Sequence, residues 1–327
     1  MKRWALAITG PTASGKTALS IALARELSAE IICLDSMQIY KEMNIGTAKP
    51  TADEMAAVRH HLVDFLPFSE NYNAENYKTD ALLAVDGILE GKNVPLFVGG
   101  TGLYIDTLTS RGENLAPESD KEYLNERLAA VKTAEDAHAL WQKLLEVDPE
   151  SAEQIHENNV KRVLRALEIY EKSGKTKTYF DALSRTGEPA LKVGMITLDF
   201  HDRELLYSRV NLRVDLMMKE GLLCETERLR DAGLFDGDYT AAQAIGYKEI
   251  GDYLFGRCSL SEAVENLKLA TRRYAKRQLT WFKHERDAYR LYMDTEDGKM
   301  RDGADVLSEA SAAARKFLCE LNEHNKI

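Results

Sequence analysis

Apolar residues cluster in short runs at positions 4–8, 30–34 and 94–98, each followed by polar or glycine-rich residues, and a β-like run spans 193–200. Runs of this length, rich in Ile, Val and Leu, predict strands buried on both faces, as in parallel sheets. Between them the apolar spacing lengthens to three and four. Leu19, Leu23 and Leu27 mark a helix after the first run, and a second helix is predicted over 76–90. A shorter helical pattern runs through His60, followed by an apolar patch at 62–66. Strands alternating with helices predict an α/β fold, a parallel sheet core flanked by helices. From Leu115 to Arg185 the texture changes to Lys, Glu, Ala and Leu at helical spacing, bracketed by Pro117 and Pro189. This predicts an inserted all-helical domain of roughly 70 residues, dividing the chain into a first core part (1–114), the insertion (115–186) and a second core part (187–327). In the last part a long amphipathic helix carries Arg209 and Arg213, one turn apart, able to clamp an anion or to pair with Asp202, Glu204 or Asp215. Another helix, over 260–283, has an apolar seam of Leu260, Val264, Leu267, Tyr274 and Trp281. The final helix, 305–322, reads as structural.

The first strand runs directly into Gly10, Pro11, Thr12, Ala13, Ser14, Gly15, Lys16 and Thr17, two glycines five apart followed by Lys and Thr. Between a strand and a helix this is a phosphate-binding loop. Glycines let backbone N–H groups turn toward an anion, the helix N-terminus adds partial positive charge, Lys16 supplies a full one, and the Thr17 hydroxyl can hold Mg²⁺. The string does not say which phosphate is bound. The second strand ends in Asp35, which should face the same crevice, since ligands of open parallel sheets lie beyond the carboxyl ends of strands. Capping a turn is an equally good use of that Asp. The third strand ends in Gly99-Gly100-Thr101-Gly102, a second turn where backbone can approach a ligand closely. No acidic residue ends it, which counts against a nucleotide hydrolase. His60, His61 and Asp64 are close in sequence, but adjacent histidines point apart, and they are not expected to form a metal site.

The chain of 327 residues, 44% hydrophobic and 29% charged, has an ordinary globular composition, with no apolar run near the ~20 residues a bilayer span needs. No membrane association is expected. The N-terminus enters a core strand almost at once, leaving no room for a signal peptide, so the cytoplasm is the expected compartment. Four scattered cysteines, with no C-x-x-C pair, are expected to be reduced and structural. A net charge of −10 argues against a nucleic-acid partner only until its distribution is considered. Arg272, Arg273, Lys276, Arg277 and Lys283 lie close together on the 260–283 helix, interleaved with Tyr274, Trp281 and Phe282, a mixture of charge and flat rings that suits RNA loops.

Taken together, the segments G-P-T-A-S-G-K-T, D-S-M-Q-I-Y, N-I-G-T-A-K-P, H-H-L-V-D, V-G-G-T-G-L-Y, R-V-L-R-A-L-E, A-I-G-Y-K-E and K-R-Q-L-T-W-F closely resemble the bacterial tRNA dimethylallyltransferases, in order and over most of the chain. The resemblance implies a P-loop NTPase-like core and transfer of a dimethylallyl group from dimethylallyl diphosphate to N6 of the adenosine 3′-adjacent to the anticodon. It implies that residues 10–17, with Mg²⁺ on Thr17, and Arg213 hold the diphosphate, that Asp35 is the base, and that Thr101 assists at the amino group. It also implies contact with the tRNA anticodon stem-loop by Asp35, Ser36, Met37, Gln38 and Thr101; by Lys161, Arg162, Val163, Leu164 and Arg165; by Gln243, Ala244, Ile245, Gly246, Tyr247 and Lys248; and by Lys276, Arg277, Gln278, Leu279, Thr280, Trp281, Phe282 and Lys283. The insertion would close over the anticodon loop as a clamp. Lys161 stands where many relatives carry Gln, and Gln243 where some carry Arg. The zinc finger of eukaryotic members is absent, and a monomer is expected. From the loop alone, a small-molecule or nucleoside kinase with Asp35 as base is the alternative. A non-enzymatic RNA-binding module would leave Asp35 and the loop idle.

Overall fold

The computed structural model describes residues 3–110, 116–184, 186–285 and 287–323. The chain divides into two compact units, one formed by Met1–Thr109 with Leu191–Ile327 and the other by Ser110–Ala190. The expected junction at 114/115 and Arg185 lie outside the described residues. The first unit begins β1 (Trp4–Thr9), α1 (Lys16–Leu27), β2 (Ala29–Leu34), α2 (Ala52–Ala57), β3 (His60–His61), α3 (Ala74–Glu90), β4 (Val94–Gly99) and α4 (Gly102–Thr109). The second unit contains α5 (Lys121–Ala130), α6 (Ala134–Val147), α7 (Pro149–Gln154), α8 (Val160–Ser173) and α9 (Lys177–Leu183). The first then resumes with β5 (Lys192–Asp199), α10 (Arg203–Glu220), α11 (Leu222–Asp231), a 3-10 turn (Thr240–Gln243), α12 (Tyr247–Leu254), α13 (Leu260–Phe282), β6 (Tyr289–Tyr292) and α14 (Gly303–Glu323).

The strands form one six-stranded sheet of order β3-β2-β4-β1-β5-β6, parallel throughout. Its centre is β1, paired with β4 (Leu6 opposite Leu96) and β5 (Leu6 opposite Gly194). Alternation along β1 sends Leu6 and Ile8 into one core layer, with Leu19 and Leu23 of α1 and Ala310 and Ala314 of α14. Ala5 and Ala7 enter the opposite layer, under Tyr77 and Val85 of α3 and Ile105 and Leu108 of α4. A third cluster joins Ile39, Tyr40 and Met43, after β2, to Val214, Leu222, Tyr247 and Leu267.

The inserted unit has its own core of Leu144, Ala152, Ile155, Val163, Ala166 and Leu167. Trp141 donates its indole N–H to the carbonyls of Ala152 (3.0 Å) and Ile155 (2.8 Å). The buried Glu168 accepts Asp120 N–H at 2.6 Å and pairs with Arg165 and Lys172.

Three departures from the sequence expectations have plain causes. His60 lies in a strand rather than a helix, because residues 60–61 pair with Ile31 and Ile32 at the sheet edge. Both imidazoles are used structurally, His60 against the Val58 carbonyl (2.8 Å) and His61 against Glu30 (2.6 Å). β6 and the helices α11 and α12 lie in stretches that the hydrophobic pattern left unassigned. Trp281 is 36% exposed and falls outside the buried seam of α13, which is completed instead by Ala275, Gln278, Leu279 and Phe282.

Candidate active site

The carboxyl ends of β1, β2 and β4 open onto a cavity of about 680 Å³ whose described lining residues belong to the first unit. The turn after β1 is left-handed at Gly10 (φ 138°), Ala13 (φ 61°) and Gly15 (φ 97°). A side chain at Gly10 would meet the Leu198 carbonyl oxygen at 2.8 Å, so close packing on β5 as well as φ demands glycine there. Residues 12–17 all line the cavity. The Lys16 ammonium donates to the carbonyls of Pro11 (2.7 Å) and Gly10 (3.0 Å), curled over its own loop. Burial, then the positive charge of Arg213, pull its pKa down to about 7, against the opposing pull of Asp35. Burial likewise lowers Arg213, again opposed by Asp35. Ser14 Oγ is buried in the loop and finds no hydrogen-bond partner among the described residues. Arg209 braces the loop from α10, donating Nε–H to the Ala13 carbonyl at 3.0 Å. Among the described residues no ion pair joins Arg209 to Asp202, Glu204 or Asp215, and Asp215 goes to Lys268 (2.9 Å).

Asp35 lines the same cavity at the tip of β2. Its Oδ1 accepts the N–H groups of Met37 (2.8 Å) and Gln38 (3.3 Å), so the turn-capping use is realised while the carboxylate still faces the cavity. Thr101 does not line the cavity, but its Oγ1 accepts Ser36 N–H at 3.2 Å, tying the turn after β4 to the tip of β2. Gln38 is committed within the protein. Its amide donates to the Thr47 (3.1 Å) and Ala48 (3.0 Å) carbonyls, and its Oε1 lies 3.4 Å from Cys33 Sγ.

Helix α13 supplies another wall of the cavity with Leu267, Thr271, Tyr274, Arg277 and Gln278. Of its expected RNA-contacting residues, Lys276, Arg277, Thr280, Trp281 and Lys283 are exposed, while Gln278, Leu279 and Phe282 are buried. Trp281 lies over Gly102, where an added Cβ would come within 2.4 Å of the indole, and it donates to Asp106 at 3.3 Å. In the second unit Lys161 and Arg162 are exposed on α8. Val163 and Leu164 are buried, and Arg165 is engaged by Glu168 and the Pro117 carbonyl.

Residues 243–248 span the end of the 3-10 turn and the start of α12, with Gln243, Ala244 and Ile245 lining the cavity and Gln243 and Lys248 exposed. Gly246 has φ 104°, and Tyr247 is fully buried. Its hydroxyl donates to Glu225 Oε1 at 2.6 Å. The same carboxylate accepts backbone N–H groups of Asn44 (3.2 Å), Ile45 (2.9 Å) and Gly46 (3.2 Å). Burial, with the Glu225 charge beside it, pushes the Tyr247 phenol up. Sequence reasoning missed Glu225, although its place three residues after Leu222 and four before Leu229, on the buried face of α11, was a usable signal. Removing the donor by Tyr247→Phe is expected to cost about 1.5–3 kcal/mol, the range for a bond to a charged group. Urea unfolding checks it, and a loss below about 0.5 kcal/mol, the ordinary surface range, would refute it.

Comparison with known proteins gives concordant results. A family model described as IPP transferase matches residues 38–285. The chain is 47% identical to a tRNA dimethylallyltransferase of Bacillus anthracis over 295 residues, covering 89% of this chain and 91% of that one. Among solved structures it resembles a full-length tRNA isopentenylpyrophosphate transferase from Bacillus halodurans, with TM-score 0.72, 37% identity and complete coverage of both chains. It also resembles a eukaryotic dimethylallyltransferase acting on tRNA, with TM-score 0.78 and 27% identity over 97% of this chain and 80% of that one.

Proposed function

The chain belongs to the IPP transferase family, and from that membership we propose that it transfers a dimethylallyl group from dimethylallyl diphosphate to N6 of the adenosine 3′-adjacent to the anticodon of tRNA, releasing diphosphate. The observation that carries this reading is that a phosphate loop, Arg209, Arg213 and Asp35 all open into one cavity.

Adenine's amino group is a weak nucleophile because its lone pair is delocalised into the ring. Catalysis therefore needs both leaving-group stabilisation and proton removal. In the proposed reaction the allylic C–O bond breaks and its electron pair leaves with diphosphate. Loop N–H groups, Lys16 and Arg213 stabilise that charge. The N6 lone pair forms the new C–N bond, and the N6 proton passes to the Asp35 carboxylate. The turn N–H groups on Oδ1 fix its orientation, leaving Oδ2 as the proton acceptor. In this reading Thr101, whose hydroxyl holds Ser36 beside Asp35, orients the base from the β4 turn. An anticodon-loop base is already single-stranded, so extruding it costs less than opening a duplex. The exposed cations of α13 and Lys161 and Arg162 of α8 are the proposed phosphate contacts.

Among the described residues no three His, Cys, Asp or Glu side chains gather as a metal site. The Thr17 hydroxyl in the cavity wall suits Mg²⁺, a hard ion that keeps several waters and takes its other oxygens from a bound diphosphate. When bound it would offset charge on the departing group. Mg²⁺ is expected to tighten inorganic diphosphate binding at least about tenfold over chelator, an enhancement that Thr17→Val removes while sparing metal-free affinity. Full retention by the variant would show that the hydroxyl is not the ligand. No helix of the described residues is long and apolar enough to cross a membrane.

The direct test is incubation of the protein with labelled dimethylallyl diphosphate, Mg²⁺ and unmodified tRNA carrying adenosine beside the anticodon, with ATP in a parallel reaction. Label reaching the tRNA without ATP supports the reading. ATP turnover on a small acceptor with no transfer refutes it.

A further inference from the structure

Gln278 sits in the basic, aromatic segment of α13, yet it is only 5% exposed. Both ends of its amide are used within the protein. Oε1 accepts the Thr12 backbone N–H of the phosphate loop at 2.8 Å, and Nε2 donates to the Gly100 carbonyl after β4 at 3.0 Å. The two loops almost touch there. A Cβ on Gly100 would lie 2.0 Å from Gln278 Nε2 and 3.1 Å from the Gly10 carbonyl oxygen. One turn earlier on the helix, the Tyr274 phenol lies near Thr101 and Gln278, and burial, then the Asp35 charge, push its pKa up. Thr101 in turn holds Ser36, next to Asp35.

We propose that Gln278 is a positioning residue. It fixes the spacing between the phosphate loop, where the leaving group is held, and the Thr101 turn, where the acceptor base is oriented. This inference rests on the transfer reaction proposed above. The need for Gln follows from its chemistry. A planar amide offers one donor and one acceptor a fixed distance apart, whereas an ionised Glu cannot donate and Asn is shorter by a methylene. The neighbouring Lys276 and Arg277 are exposed and can meet phosphate, but an amide with both ends engaged and almost no exposure acts on the loops. The consequence for the reaction is geometric. Bond formation requires the allylic carbon and N6 at near-attack distance, and a displacement of about 1 Å costs on the order of 10²-fold in rate.

The test compares wild type with Gln278→Met, which keeps length and flexibility but loses both hydrogen bonds. Single-turnover transfer at saturating substrates is expected to slow by about 30–100-fold, with KM for tRNA and for the donor each within about threefold. A rate within about threefold of wild type, or a rise in KM for tRNA that accounts for the whole loss, overturns the proposal. If Gln278→Met does not fold, Gly100→Ala probes the same clasp, because its methyl displaces the amide. Gly100→Ala should be slow, and Gly100→Ala/Gln278→Ala no slower than Gln278→Ala alone; losses that simply add overturn the proposal. Wild-type protein that transfers nothing overturns the reading of function, whereas active wild type with unaffected variants overturns this inference alone.

Discussion

Asp35→Asn is expected to lower the single-turnover rate of dimethylallyl transfer by about 10²–10⁴-fold, the span of general-base contributions, while tRNA affinity stays within about threefold. The choice of Asn follows from the turn at the end of β2. Asp35 Oδ1 holds the N–H groups of Met37 and Gln38, and an amide oxygen can hold them too, so the loop survives while the proton acceptor is lost. Ala would remove both and confuse the two roles. Rapid quench with labelled donor and filter binding with tRNA separate rate from affinity. A variant within about tenfold of wild-type rate would remove Asp35 from the proton transfer.

Lys16→Met is expected to slow the same step by about 10²–10³-fold, as loss of a preorganised charge at a developing anion does, and to weaken diphosphate binding. The electrostatics of Lys16 add a signature that a merely structural lysine would lack. Burial and Arg213 bring its pKa to about 7, so it is charged below that pH and increasingly neutral above it. A bound diphosphate favours the charged form and raises the pKa in the complex. Affinity is then fully present below pH 7 and falls as pH rises, by up to about tenfold per unit until the pKa of the complex is reached. Titrations between pH 7.5 and 9 should show this slope in the wild type and a flat profile in Lys16→Met. A flat wild-type profile would mean that the lysine is not the titrating group.

The parts of the fold legible in sequence were those whose signal is local. β1, β2, β4 and β5 are largely buried and announce themselves as short runs dominated by apolar residues. The phosphate loop is a contiguous string whose glycines are required by φ. The edge strands carry little of that signal, since β3 has two residues and β6, Tyr-Arg-Leu-Tyr, has four. The supporting residues are harder still. Glu225 reaches backbone some 180 positions earlier and Gln278 reaches Thr12 across 266, so both read locally as polar positions on ordinary amphipathic helices. What marks them is a polar side chain at a position where the helix period calls for an apolar one, as Gln278 does among Ala275, Leu279 and Phe282. Trp281 shows the opposite error. A large ring one position from the true seam was counted into it, and the structure turns it outward over Gly102.

The pairing of β1 with β5 sets the order in which this chain can be assembled. Trp4 meets Lys192, so the central strand completes its hydrogen bonding only after nearly two hundred residues have left the ribosome. β2 and β4 join it much sooner, giving a half-sheet with one side of β1 open. The intervening Ser110–Ala190 unit has a core of its own and can condense while that edge waits. Once condensed it no longer behaves as a long flexible loop, and the entropy of closing β4 to β5 falls to that of its short connections. Lesions in its core, at Leu144 or Leu167 for instance, would then delay closure of the sheet, prolonging exposure of the unpaired edge of β1 to aggregation during synthesis.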